Sequence, residues 1–348
     1  MSAHSLRADD FQPLIVKLYL HESNAVQSQE YRLDLKVPSD TRLTSLPRLL
    51  MPKNCKKQSL STTVIEDKAS KIIDQYSCAS SLHGQQLKVF YPSGNPGLST
   101  FISVDHGDSN VVSAMLAPHQ LSWTVPNKSN ASAVSLQYFK LGVTHLLSGY
   151  DHLLFIACLI FICSGSLRKL FITITAFTLS HSVSLGITIL TKLSLFMPAV
   201  EAVISLSIAY LAYDIVKRLR SDADKQNREF SLSYQYPAAV AGIFGLLHGL
   251  GFSNVLAEFG LPHNHKIAAL LSFNIGIEIG QLLFVIALLL LARLLSKLIP
   301  SIRHSKIERG DASRVLELRL VSRIAVMVVY AIGGLSMFWT VERVVAAI

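Results

Sequence analysis

Beyond about residue 138 the chain carries apolar runs of roughly bilayer length, near 139–164, 168–191, 197–217, 237–260, 267–296 and 321–345. No other feature limits the fold so strongly. Across ~30 Å of hydrocarbon every backbone N–H and C=O has to be bonded inside the segment itself, so runs of this kind form helices. The sequence therefore predicts an α-helical integral membrane bundle of about six transmembrane helices over 138–348. Its composition agrees: 50% hydrophobic and 16% charged residues, with a mean hydropathy of +0.40, exclude an ordinary soluble protein. An even number of spans returns both ends to one side, and Lys and Arg choose the side. With the N-terminal region outside, the inner connections hold Arg168 and Lys169, then Lys217, Arg218, Arg220, Lys225 and Arg228, then a set from Arg293 to Arg323. The net charge of +9 is thus a positive-inside bias, and it gives no reason to expect a nucleic-acid partner.

Residues 1–137 read differently. Short alternating runs, "LIVKLYL", "EYRLDLKV", "QLKVFYP", "STFISVD" and "HQLSWTV", are separated by turn formers such as "PSGNPG" and "DHGDSN". This predicts a small all-β extracytoplasmic domain, an antiparallel sandwich, ahead of the bundle. Cys55 and Cys78 are its only cysteines, and outside the cytoplasm an isolated pair reads as a disulfide. Cys158 and Cys163 fall in a predicted helix at a spacing that shares no face, and read as small buried residues. His4, His21, His83, His106 and His119 are scattered without ligand spacing and read as surface groups. "MSAHSLRADDFQPL" has no apolar export core, which points to a native leader missing from this chain. "SAH" resembles a signal-peptidase cut next to Ala3/His4. A chain starting at His4 would offer an amine and a ring nitrogen to copper, nickel or zinc.

The apolar runs contain groups that hydrocarbon rejects. An acid or base at the centre of a spanning helix costs about 2.5–3.5 kcal/mol on insertion scales, so such groups face the bundle interior and mark ion or substrate paths. The first run holds His145, Asp151 and His152, and the second Thr178, Ser180, His181 and Ser182. The third opens with Glu201, the fourth holds His248, and the fifth holds Asn274, Glu278 and Gln281. Helical spacing places Asn274, Glu278 and Gln281 on one stripe, and Thr178, His181 and Ser182 on one face. His145 and His152 also share a face, but in a straight helix rising ~1.5 Å per residue they lie about 10 Å apart. That is too far for one ion with bonds near ~2 Å. Either the helix breaks at Ser148-Gly149, or the two rings serve successive positions on a path. "GLLHG" and "GIEIG" are G-x-x-x-G patterns that permit close helix approach. His263 and His265, in "LPHNHK", read as a solvated loop that could also collect metal.

Taken in order, "HLLSGYDHLLF", "FTLSHSVSL", "VEAVISLSIAY", "FGLLHGLGFSNVL" and "FNIGIEIGQL" resemble the HupE/UreJ family of membrane proteins, in a long form with an extracytoplasmic head. The His-x5-Asp-His element also looks like the metal-selecting signature of nickel/cobalt permeases. The resemblance implies nickel uptake, with His145, Asp151 and His152 as metal-handling residues. Leu146 stands where shorter family members often carry proline, and those members lack the head.

Three functions follow as expectations. The leading one is a divalent transition-metal permease for nickel, cobalt or zinc, using His145, Asp151, His152, His181, His248, Glu278, Glu201 and Asn274; imidazole and carboxylate suit these ions better than copper(I). The second is an intramembrane zinc-dependent hydrolase or transferase acting on a lipid or membrane protein, with Asp151, Glu201 or Glu278 as general base. The third is a sensor or assembly partner whose head is the binding module. The expected location is the bacterial inner membrane, with the head and the C-terminus periplasmic. Expected partners are membrane lipid and a metal ion, without nucleic acid; a homo-oligomer is compatible. No nucleotide-binding motif is visible.

Overall fold

Alternation along the strands decides how the head folds. In β2 (Gln29–Val37) Tyr31, Leu33, Leu35 and Val37 are buried on one face. The intervening Arg32 and Asp34 pair at 2.8 Å on the other, with Lys71 at 3.4 Å from Asp34. β1 (Leu14–His21), β6 (Ala69–Cys78), β7 (Gln86–Phe90), β8 (Thr100–Asp105) and β9 (Val111–Leu116) add the rest of one apolar core, β7 with the same alternation. A burial pattern of period 2 is what a strand with one face inward requires.

The computed structural model describes residues 13–21, 28–38, 46–59, 61–66, 69–107, 111–128, 130–163, 166–191, 195–221, 231–252, 256, 265–298 and 312–347. Ala3, His4 and His263 lie outside the described residues. The chain divides into two compact units, one of residues 11–138 with 255–272 and the other of 139–254 with 273–348.

In the first unit, β3 (Arg48–Leu50), β7 and β10 (Ser122–Thr124) form a three-stranded sheet in the order β10-β7-β3. The larger sheet runs β4-β6-β2-β1-β8-β9, where β4 is Cys55–Lys57, and β5 (Thr62–Glu66) also pairs β6. Residues from both sheets share the core. The expectation of a purely antiparallel head needs correction, because β1 pairs β8 in parallel, Leu14 to Thr100 through Tyr19 to Asp105. β8 is buried on both faces, as a strand in the middle of a sheet is, and nothing in its local sequence records the direction of its neighbour.

Cys55 stands directly opposite Cys78 in the β4–β6 register, and the two are disulfide-bonded. They are 23 positions apart in the chain, and replacing both by serine should remove about 3 kcal/mol of stability by loss of the loop constraint. Thermal unfolding of the full chain, followed with and without reductant, checks this. A head signal indifferent to reductant would contradict it.

Two head histidines are not isolated surface groups as expected. His83 and His106 stack with ring centroids 3.7 Å apart. Burial, reinforced by the His83 ring and opposed by Asp105, pushes the His106 imidazole down to about 4. The folded head therefore keeps His106 neutral while the unfolded chain takes up its proton near the usual value of about 6.5. Head stability should be full above about pH 6.5 and fall as pH drops toward about 4. His106→Gln should flatten that fall in thermal melts between pH 7 and pH 4.5; an unchanged slope would show that other groups cause it.

In the second unit the elements are helical. They are α1 (Ala131–Ser148, entering from the first unit), α2 (Tyr150–Ile162), α3 (Leu167–Thr191), α4 (Met197–Ser221), α5 (Leu232–Gln235), α6 (Pro237–Gly251), α7 (Lys266–Leu298) and α8 (Ala312–Ala347). Among the described residues four stretches, Leu167–Thr191, Met197–Arg220, Lys266–Leu294 and Ile324–Ala347, are long and apolar enough to cross a membrane. The protein is a membrane protein. α2 and α6 are shorter apolar helices of 13 and 15 residues, about 20 and 22 Å at 1.5 Å per residue. The single helix expected over 139–164 is therefore two, divided at Gly149.

Glycines set the closest helix contacts. A Cβ at Gly245 or Gly249 on α6 would collide with the backbone carbonyl of Phe177 or His181 on α3. A Cβ at Gly142 on α1 or Gly276 on α7 would collide with the carbonyl of Phe273 or Phe139. "GLLHG" thus lies flat on α3, as its pattern predicts.

Candidate metal centre

The break at Gly149 builds the site. Gly149 leaves the helical region (φ −81°, ψ 96°), while its N–H still bonds to the His145 carbonyl at 2.9 Å and its carbonyl accepts from Leu153 N–H at 3.2 Å. The chain resumes as a helix at Tyr150, and the His152 ring packs back against Gly149. A Cβ at Gly149 would stand 2.7 Å from His152 Nδ1, so this position has room for glycine alone. The His145 and His152 ring centroids come to 4.8 Å. Of the two arrangements left open by the sequence, the helix break is the one found, and it brings the two rings together. Irregular backbone at membrane depth is tolerated where it lines a polar cavity, and interrupted or short spans commonly mark a transporter's binding site.

His181 of α3 completes a group in which one ligand atom from each of His145, His152 and His181 lies within 4.8 Å of the others. All three residues are buried. Tetrahedral bonds of about 2.1 Å imply nitrogens near ~3.4 Å apart, so the rings would draw in slightly on an ion. His248 of α6 adjoins them, its ring 5.1 Å from that of His152. Two rings have their tautomer set by a bond on Nδ1. His181 Nδ1 lies 3.4 Å from Asn274 Oδ1, and His248 Nδ1 lies 2.8 Å from the Phe244 carbonyl. With Nδ1–H donating, Nε2 keeps its lone pair for a metal. Both nitrogens of His145 and of His152, and Nε2 of His181 and His248, are buried with no hydrogen-bond partner among the described residues. Six such nitrogens in one place are not a satisfied structural network, since buried polar groups are normally bonded.

Aromatic rings wall the centre. Phe252 lies over His145 at 4.0 Å, and Phe273 stacks on Phe252 at 5.2 Å. Phe155 and Phe177 stand 5.2 and 5.1 Å from His248. An apolar shell of this kind lowers the local dielectric and strengthens every charge interaction within it.

The expected carboxylates are not among these three grouped ligands, and each has a partner of its own. Asp151 Oδ2 accepts from Arg343 Nη2 at 2.9 Å, and Arg343 Nε lies 3.6 Å from Glu201 Oε2. Glu278 Oε1 accepts from Thr175 Oγ1 at 2.7 Å, and Gln281 Oε1 from Thr178 Oγ1 at 3.0 Å. The Asn274, Glu278 and Gln281 stripe therefore does face α3, but Glu278 ties helices together one turn from the ring bound to Asn274. The sequence reading missed Arg343, a buried cation in the last apolar run; a charge within that run, near its end, was the available signal. It also missed Asp214 of α4, buried and accepting from the hydroxyls of Ser231 and of Ser233, the latter at 2.5 Å. Cys158 and Cys163 are buried free thiols, as expected.

No curated protein and no solved structure matches the chain. The family described as HupE / UreJ protein matches residues 120–343, a stretch that contains the broken helix, the four clustered histidines and the Arg343 network. On that match, which covers most of the chain, the protein belongs to the HupE/UreJ family.

Proposed function

We propose that the protein is a membrane permease for a divalent transition-metal ion, nickel or cobalt, and that His145, His152 and His181 form its selecting station. The observation that carries this reading is the set of buried, unpartnered imidazole nitrogens around one point. The ring donors suit borderline divalent ions, and the family resemblance implies nickel uptake. The positive-inside pattern favours an inner membrane of a bacterium, with the head and the C-terminus periplasmic. Asp151 and Glu201 supply negative charge near the ion's route, and Glu278 holds α3 against α7.

One observation favours a second reading. The histidines meet in a single compact centre and do not form a ladder of weak stations, which is also how a resident zinc ion of an intramembrane hydrolase or transferase would be held. Purified protein reconstituted in vesicles separates the two. A permease loads the vesicle interior with nickel or cobalt, and zinc or copper compete according to site preference. Tight stoichiometric metal with no accumulation inside would overturn the permease reading in favour of the enzyme.

A further inference from the structure

We propose that Arg343 sets how tightly the histidine centre holds its ion, by occupying the Asp151 carboxylate that would otherwise place an uncompensated negative charge beside His152. The proposal rests on the metal-binding reading above. Arg343 is only 8% exposed, and its donors are committed on two helices. Nη2 donates to Asp151 Oδ2 at 2.9 Å on α2, and Nη1 donates to the Glu201 carbonyl at 2.8 Å on α4. One turn earlier Thr340 donates to Ser205 Oγ at 3.0 Å, so the end of α8 is pinned to α4 and the guanidinium is held in place. A planar fork can meet both partners at once, which an ammonium cannot do.

Asp151 is the residue before His152 in the first turn of α2. Its second oxygen, Oδ1, is buried with no partner among the described residues. A divalent ion on three neutral imidazoles keeps its full charge, and within an apolar wall a neighbouring carboxylate would bind it strongly. Transport needs binding loose enough for release. The guanidinium cancels most of the carboxylate's field, leaving the imidazoles to select the ion without trapping it. Arg343 is then a positioning and charge-balancing residue that touches no metal.

The test is a cobalt titration of the purified full chain, read by visible absorption of the bound ion at pH 7.5, for wild type, R343Q, R343K, D151N and D151N/R343Q. R343Q should bind cobalt at least about ten-fold more tightly than wild type, because the Asp151 charge is released toward the ion. D151N should bind at least about ten-fold more weakly, because the Arg343 charge is then offset only by the more distant Glu201 carboxylate, at 3.6 Å. The double variant and R343K should lie near wild type. A merely structural tie predicts weaker binding in every variant, and that pattern, or an unchanged R343Q, overturns the proposal. If R343Q does not yield folded protein, D151N against the double variant decides: recovery of cobalt affinity supports the proposal and no recovery overturns it. Wild-type protein that binds no cobalt or nickel would instead sink the metal reading itself.

Discussion

Alanine at His145, His152 or His181 is expected to abolish nickel and cobalt binding by the purified protein while leaving its helical content unchanged. Each substitution removes one of the three nitrogens that lie within 4.8 Å of one another, and two imidazoles in an apolar wall cannot replace the ion's hydration shell. The loss should exceed the ~10- to 100-fold that follows removal of a group acting through a ligand. Asn274→Ala should fall inside that range, because Asn274 acts on the site through its contact with His181. His248→Ala should cost less than any member of the triad, since its ring lies outside the three-nitrogen group. Isothermal titration with nickel and cobalt, paired with circular dichroism, measures all five variants. Equal losses for His248 and the triad would make the centre a four-histidine site, and undiminished binding in the triad variants would remove the metal assignment.

Valine at Gly249 should have the second largest effect, this time on folding. The new Cβ would meet the His181 carbonyl and Ser184 Oγ, and a backbone carbonyl in a helix cannot swing aside. α6 would have to lift from α3, which separates His248 from His181 and opens the Phe155–Phe177 wall. Overpacking of this kind costs typically about 1–3 kcal/mol, and a backbone neighbour places it at the upper end. Gly186 of α3 has nothing within 4 Å of its added Cβ, so Gly186→Ala is the matched control and should be tolerated. The yield of monodisperse protein in detergent, with its thermal midpoint, reports both. Similar behaviour of the two variants would show that α3 and α6 do not rely on this glycine.

Local chemistry alone determined a good deal. The apolar runs are readable because hydrocarbon leaves a backbone no choice but helix, and the strands are readable because one face is buried at period 2. The importance of His145, His152, His181 and His248 is equally local, since each is too costly to face lipid. The Cys55–Cys78 bond followed from there being one pair in a domain read as extracytoplasmic.

What only the tertiary structure decided is which of those costly groups meet. Spacing could say that His145 and His152 share a face of a straight helix, but whether the helix is straight depends on the ring that packs against Gly149. Asp151 lies within the same signature as the histidines, yet its partner is Arg343, 192 residues away. Parallel pairing of β1 with β8 is likewise a choice between distant strands. In the last two cases the deciding contact joins residues far apart in the chain. The composition of a segment records what must be hidden from water or lipid, while its partner is selected by packing against the rest of the molecule.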